Sequence, residues 1–207
     1  DGDITKILPI TVHGDAAVAG QGIVYEMVQM SKIRAYQTGG TIRLVMNNQV
    51  GFTTNYKDAR SGIYSTDVAK VVSAPVVHVN ADDTEAAVKA MLFALDYRMT
   101  FKEDVFVDLV GYRKYGHNEG DEPRFTQPTL YKLISKHKGA RNIYSSRLLE
   151  NNEITEAEIT ALEEKYKAFL EENLEVSKAT EKATIIPFMQ EEWVGYNIAN
   201  QDRMLQT

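Results

Sequence analysis

The sequence contains no cysteine among its 207 residues. Disulfides, thiolate nucleophiles and cysteine-ligated zinc or iron–sulfur sites are therefore excluded together. Positive charge is in short supply: 23 Lys and Arg stand against 29 Asp and Glu, a net charge of −6. With no basic stripe in view, a general nucleic-acid footprint is disfavoured. Long apolar runs are missing as well, none approaching the roughly 20 residues of a membrane span. The opening Asp1-Gly2-Asp3 lacks the basic start of a signal peptide. Internal repeats and low-complexity tracts are absent. The expectation is a soluble intracellular protein with neither a membrane nor a nucleic-acid partner. What remains, 43% hydrophobic and 25% charged residues, is ordinary globular composition. At roughly 150 residues per domain the length corresponds to one domain with an appendage, or to two small domains.

Along the chain, branched apolar runs alternate with segments of helical spacing. Ile7–His13 reads as a strand stopped by Gly14-Asp15, and Gly20 to about Tyr36 as a helix ended by Gly39-Gly40. Thr41–Met46 reads as a second strand closed by Asn47-Asn48-Gln49, followed from Gly51 to about Ser65 by a polar loop without a period. A short helix near Asp67–Ser73 leads to a third strand at Pro75–Val79, and Asp82-Asp83 have the form of a helix N-cap. A helix over Thr84–Thr100 and a fourth strand over Asp104–Val110 complete the pattern. Such alternation predicts an α/β fold, a mostly parallel sheet with helices on both faces. The segment Gly111–Gln127 is too long for an ordinary link, and loops of that length are commonly functional or disordered. Beyond Pro128 only helices are expected, over Leu130–Lys136, about Ala140–Glu150 and Thr155–Ser177, then a tail with apolar anchors from Ile185 to Tyr196. This divides the chain into a domain over 1–149 and a helical extension and tail over 150–207.

In an open parallel sheet, ligands collect beyond the carboxyl ends of the strands. That rule selects His13–Ala17, Asn47–Gly51, Asn80–Asp82 and Tyr112–Glu119. Asp15 offers a carboxylate, Asn48 an amide oxygen and a residue just beyond it a backbone carbonyl, an oxygen set that suits Mg²⁺. One protein charge leaves a divalent ion incompletely balanced, so an anionic ligand such as phosphate is expected to fill the remaining positions. Taken singly, each feature has an ordinary reading: Gly-Asp between strand and helix is a turn with a cap, and His117 a solvated loop histidine. His13 beside Asp15 reads equally as a cofactor contact or a supporting residue, whereas Gln21, His78 and His137 read as structural. The acidic run Glu156–Glu175 reads as the wet face of a helix.

The spacing from Asp15 to Asn48, with Gly14-Asp15-Ala16 at one end and Asn47-Asn48 at the other, resembles the thiamin-diphosphate motif. The strings HGDAAVAGQG, MNNQVGFTT, HVNADD and YRKYGHNEGDEP, then TQP and Tyr131, resemble the first component of the 2-oxoglutarate dehydrogenases over about Ile7–His137. Ala16 departs from the generic Gly-Asp-Gly, but this branch carries Gly-Asp-Ala there. The resemblance implies a thiamin-diphosphate-binding α/β fold with a helical C-terminal extension. It implies Mg²⁺ held by the Asp15 carboxylate, the Asn48 amide oxygen and the Val50 carbonyl, cofactor contacts from Asp15, Ala16, Asn48, Val50 and His117, and a catalytic role for His117 in the loop over the diphosphate. It further implies oxidative decarboxylation of 2-oxoglutarate with succinyl transfer to lipoamide. The implied partners are the remaining domains of the enzyme, a homodimeric copy and the dihydrolipoyl succinyltransferase component, and the implied location is the cytoplasm, or the mitochondrial matrix in a eukaryote. The pyrimidine-binding domain that completes the cofactor site is not evident, so this chain alone is expected to be inactive. A non-catalytic phosphate- or nucleotide-binding α/β module is the rival reading. A Rossmann dinucleotide site is weak, because Gly20-Gln21-Gly22 lacks the third glycine.

Overall fold

Strands and helices alternate through the first two thirds of the chain in the computed structural model, which describes residues 3–182 and 194–196. In chain order they are β1 (Ile10–Gly14), α1 (Asp15–Gly20), α2 (Gly22–Met30), β2 (Ile42–Asn47), β3 (Val50–Gly51), β4 (Thr54–Asn55), α3 (Tyr56–Ala59), a 3₁₀ helix (Ser65–Val72), β5 (Val76–Asn80), α4 (Thr84–Phe101), β6 (Val105–Val110), α5 (Pro128–Ile134), α6 (Ala140–Glu150) and α7 (Glu156–Ala179). Four strands form one parallel sheet in the order β1-β2-β6-β5, and β3 and β4 make a small antiparallel hairpin. The predicted α/β class, with helices on both faces of a parallel sheet, is therefore borne out.

The two faces of the sheet have separate cores. On one, Val45 and Phe106 pack with Val18 of α1, Val24 and Val28 of α2 and Ala69 of the 3₁₀ helix. On the other, Ile42, Val79, Val105 and Val107 pack with Ala90 and Ala94 of α4. The period-two alternation of strand side chains thus sends Val45, Phe106 and Asp108 to the first face, and Ile42, Val105 and Val107 to the second. Parallel strands covered on both faces carry near-continuous apolar runs, so the acid Asp108 in the middle of β6 stands out.

Several boundaries differ from the sequence expectation for identifiable reasons. The single helix expected over Gly20–Tyr36 is two helices that begin earlier and end at Met30, because Gln21 adopts an extended conformation between Gly20 and Gly22. β1 begins at Ile10 and not at Ile7; Pro9, which has no N–H to donate, contributes only its carbonyl, accepting from Ile42. The region after β2 is a strand hairpin and a short helix, not an unstructured polar loop. Asp83 caps α4 as expected, accepting a hydrogen bond from the Ala86 N–H at 3.1 Å. Gly40 is in the left-handed region, and a Cβ there would collide with the Glu103 backbone, so the turn into β2 requires glycine.

Two buried charged side chains, Arg98 and Asp104, are held by hydrogen bonds. Arg98 has no exposed surface and donates to the carbonyls of Gly40, Ile7 and Thr38, which ties the segments flanking β1 and β2 to α4. Asp104 accepts from Arg43 Nε at 2.7 Å and from the Thr41 N–H at 2.9 Å.

The chain divides into two compact units, Asp1–Ile154 and Thr155–Thr207. In the second, α7 starts with a reciprocal capping box between Thr155 and Glu158. Leu162, Tyr166, Phe169 and Val176 on it are exposed. The apolar anchors expected from Ile185 to Trp193 lie outside the described residues.

Candidate functional site

The strand β1 runs directly into α1, so Gly14 is the N-cap and Asp15 the first residue of the helix. Asp15 is only 2% exposed. Its Oδ1 has no hydrogen-bond partner, and its Oδ2 lies 3.4 Å from the Arg60 guanidinium. That is long for a charge-assisted bond, which falls near 2.7–2.9 Å. Burial pushes the Asp15 carboxyl above the ordinary carboxylate range, and the Arg60 charge and the backbone N–H groups of Asp15 and Asn48 only partly offset it. A buried carboxylate with one free oxygen and one distant cation is under-compensated.

The second half of the site is the turn after β2. Asn48 Oδ1 accepts from the Val50 N–H at 3.1 Å, and Asn47 Oδ1 accepts from the Gln49 N–H at 3.1 Å. Gln49 is left-handed with φ 65°, as is Phe52 with φ 51°, and non-glycine residues hold that conformation only where their surroundings impose it. Val50, at the start of β3, is buried. A Cβ placed on Gly51 would stand 2.9 Å from the Ala16 Cβ, so the hairpin rests directly on the first turn of α1. Asp15, Ala16, Asn48 and Val50 are thereby brought together by the fold.

His117 is held differently. Its N–H donates to Asp121 Oδ2 at 2.8 Å, and its ring meets Phe52 edge-on at 4.9 Å. The long loop grips the hairpin tip through Arg113 to the Phe52 carbonyl at 2.8 Å and Gln127 to the Thr53 carbonyl at 2.9 Å. His117 thus reaches the hairpin that carries Val50, while among the described residues no hydrogen bond links it to Asp15. Two adjoining clefts that share Asp82, Gly111 and Tyr112 open at this end of the sheet: one of about 460 Å³ also lined by Asn48, Arg113 and Lys114, the other of about 390 Å³ also lined by Gln49 and His78.

These residues fit a hard divalent cation with an anionic co-ligand: a buried carboxylate oxygen without a partner, an amide oxygen with one lone pair still free, and two cations, Arg113 and Lys114, lining the cleft beside Asn48. Among the described residues no three His, Cys, Asp or Glu side chains cluster as a metal site, which an Asp, Asn and carbonyl set would not form. Sequence reasoning missed Arg60, in a stretch without periodicity. It also missed Asp108, whose signal was available as an acid inside an otherwise apolar strand. His13 Nε2, near the end of β1, is buried without a partner. His137 bridges Tyr112 and Asp82, with Nε2 2.9 Å from the Asp82 carboxylate.

A parallel α/β domain with an acid at one strand end and an Asn-Asn turn at the next defines the class of open parallel α/β proteins with polar residues gathered at the carboxyl ends of their strands. Within that class, a family profile described as "Dehydrogenase E1 component" matches residues 3–186, and the chain belongs to that family. It is 51% identical over 172 residues to a "2-oxoglutarate dehydrogenase E1 component" of Haemophilus influenzae, covering 83% of this chain and 18% of that protein. It is 50% identical to the protein of the same description from Azotobacter vinelandii, over 86% of this chain and 19% of that one. To a "2-oxoglutarate dehydrogenase, mitochondrial" of Schizosaccharomyces pombe it is 46% identical, over 90% of this chain and 18% of the other. The chain spans about a fifth of the length of these curated relatives. The rival reading as a non-catalytic nucleotide-binding module is not favoured by them. No helix among the described residues is long and apolar enough to cross a membrane.

Proposed function

We propose that this chain is the part of a 2-oxoglutarate dehydrogenase first component that holds the diphosphate end of thiamin diphosphate through Mg²⁺. The observation that carries the reading is the buried, unpartnered Asp15 Oδ1 beside the Asn47–Val50 turn, in a chain about half identical to those enzymes. Asp15, Asn48 and the Val50 carbonyl would hold the metal, and Ala16 packs the helix start against the hairpin. When bound, the cofactor supplies the electron sink that decarboxylation of a 2-oxo acid requires. This chain's residues bind and orient. Arg113 and Lys114 offer positive charge beside Asn48, and the Gly111–Gln127 loop, fixed to the hairpin tip, would bring His117 toward the bound diphosphate. There His117 can hold or release a proton near the diphosphate and help to exclude water.

The reaction so served is oxidative decarboxylation of 2-oxoglutarate with succinyl transfer to the lipoamide of a dihydrolipoyl succinyltransferase component. It engages the remaining domains of the same enzyme and a homodimeric partner, in the cytoplasm or the mitochondrial matrix. Residues 1–149 form the cofactor domain and 150–207 its helical extension. Alone, the chain lacks turnover.

The test is calorimetry of thiamin diphosphate binding with titrated Mg²⁺ on the full-length polypeptide. Asp15→Asn removes the only protein charge at the metal, and Asp82→Asn removes a neighbouring charge already paired with His137. The expected result is a loss of Mg²⁺ affinity of about 10-fold or more for Asp15→Asn and little change for Asp82→Asn. Equal affinities in Asp15→Asn and the parent would refute the metal assignment.

A further inference from the structure

Asp108 is 1% exposed and sits mid-strand in β6, between β2 and β5. A lone carboxylate there would be expensive to bury, and both neighbouring strands supply a partner. Asn47 Nδ2 donates to Oδ1 at 3.0 Å, and His78 Nδ1 lies 2.7 Å from Oδ2. All three side chains are on the face of the sheet that carries α1, α2 and the 3₁₀ helix, and the Tyr64 ring closes over His78 at 4.2 Å.

The consequence reaches the turn through Asn47. With its amide nitrogen committed to Asp108, the Asn47 Oδ1 is turned toward the Gln49 N–H. The Asn47 carbonyl accepts from the Gly111 N–H at 2.7 Å, and Gln49 Nε2 donates to the Gly111 carbonyl at 2.8 Å. These bonds surround Gln49, the non-glycine residue at φ 65°. Left-handed backbone at such a residue is disfavoured and persists where neighbouring bonds over-determine it. Asn48 and Val50 flank that residue, so their spacing depends on the strained turn keeping its shape.

We infer that Asp108 is a positioning residue for the cation site: anchored by His78, it holds Asn47 and so sets the shape of the turn that presents Asn48 and Val50. This rests on the reading of Asp15, Asn48 and Val50 as the Mg²⁺ set. It adds a specificity consequence. Mg²⁺ demands near-ideal octahedral geometry at about 2.0–2.1 Å, whereas Ca²⁺ accepts irregular shells at about 2.3–2.6 Å. A turn released from Asp108 loses Mg²⁺ affinity more than Ca²⁺ affinity, and a general loss of stability would weaken both alike.

The experiment measures thiamin diphosphate binding to the full-length polypeptide by calorimetry, once with Mg²⁺ and once with Ca²⁺. In Asp108→Asn the uncharged amide keeps its oxygen on Asn47 Nδ2 only if its nitrogen turns to His78 Nδ1 and that ring atom accepts, so Asn47 is anchored more weakly than by the carboxylate. The expected outcome is Mg²⁺-supported affinity reduced about 10-fold, as for residues that orient metal ligands, with Ca²⁺-supported affinity reduced less. In the exchanged pair Asn47→Asp with Asp108→Asn, residue 108 donates to residue 47 and still accepts from His78, and the Mg²⁺ preference returns. If Asp108→Asn does not fold, His78→Leu at the exposed end of the chain of bonds serves, with the same direction expected. Equal weakening with both ions, or no weakening, overturns the inference. So does an exchanged pair that folds but does not recover the preference. Asp15→Asn measured alongside separates the two claims. If it too leaves Mg²⁺ affinity unchanged, the metal reading itself fails; if it weakens Mg²⁺ and Asp108→Asn does not, only the positioning role falls.

Discussion

The contact between Ala16 and Gly51 allows the geometry of the site to be tested without touching a ligand. A Cβ added at Gly51 would lie 2.9 Å from the Ala16 Cβ, against about 3.5–4.0 Å for an ordinary carbon contact. The hairpin must retreat from α1 by roughly 0.6–1 Å, and overpacking on this scale costs about 1–3 kcal/mol. Gly51 does not have a left-handed φ, so the backbone tolerates alanine and the clash is the only new term. Because Ala16 follows Asp15 and Gly51 follows Val50, relief of the clash separates the two halves of the proposed cation site. At 1.4 kcal/mol per tenfold, Gly51→Ala should weaken Mg²⁺-dependent thiamin diphosphate binding by about 5- to 150-fold. Ala16→Gly in the same chain removes the colliding methyl, and the double variant should return to within about threefold of the parent. Calorimetry of the parent, both single variants and the double variant, at fixed Mg²⁺, completes a double-mutant cycle. Parent-like affinity in Gly51→Ala, or a double variant as weak as the Gly51→Ala single, would refute the reasoning.

The pH dependence follows from Asp15. Burial raises its pKa above the ordinary 3.8, so in the metal-free protein the protonated form is favoured by folding. The stability tied to this group is present at low pH and is lost as pH rises through the raised value. Mg²⁺ competes with that proton, so Mg²⁺ affinity measured over a pH series should fall on acidification at a pH above 3.8, and an affinity flat down to that pH would contradict it. Arg98→Met leaves the carbonyls of Gly40, Ile7 and Thr38 without their donor. At about 1 kcal/mol for each of these lost hydrogen bonds, with about 2–4 °C per kcal/mol for a chain of this size, Tm should drop by about 6–12 °C. A shift under 2 °C in calorimetric melting would show that the clamp is dispensable.

Element type and order were legible in the sequence because branched apolar runs and helical periodicity follow directly from burial on one face or two. The strands at Ile42–Asn47, Val76–Asn80 and Val105–Val110 and the helix Thr84–Phe101 fall within a residue or two of where the pattern puts them. Asp15 and Asn48 were legible for a related reason: strand ends in a parallel sheet gather polar residues where the chain turns into a helix. Tertiary structure decided the rest. That Gln21 breaks one expected helix into two is a backbone choice between two glycines, and periodicity carries no record of it. The approach of Arg60 to Asp15, 45 residues apart, and of Asp108 to Asn47, 61 residues apart, depends on strand order. β6 lies between β2 and β5 although it follows both in the chain. Local pattern determines which residues are buried and which face they take, whereas long-range pairing determines which buried polar groups meet, and the candidate site consists of such meetings.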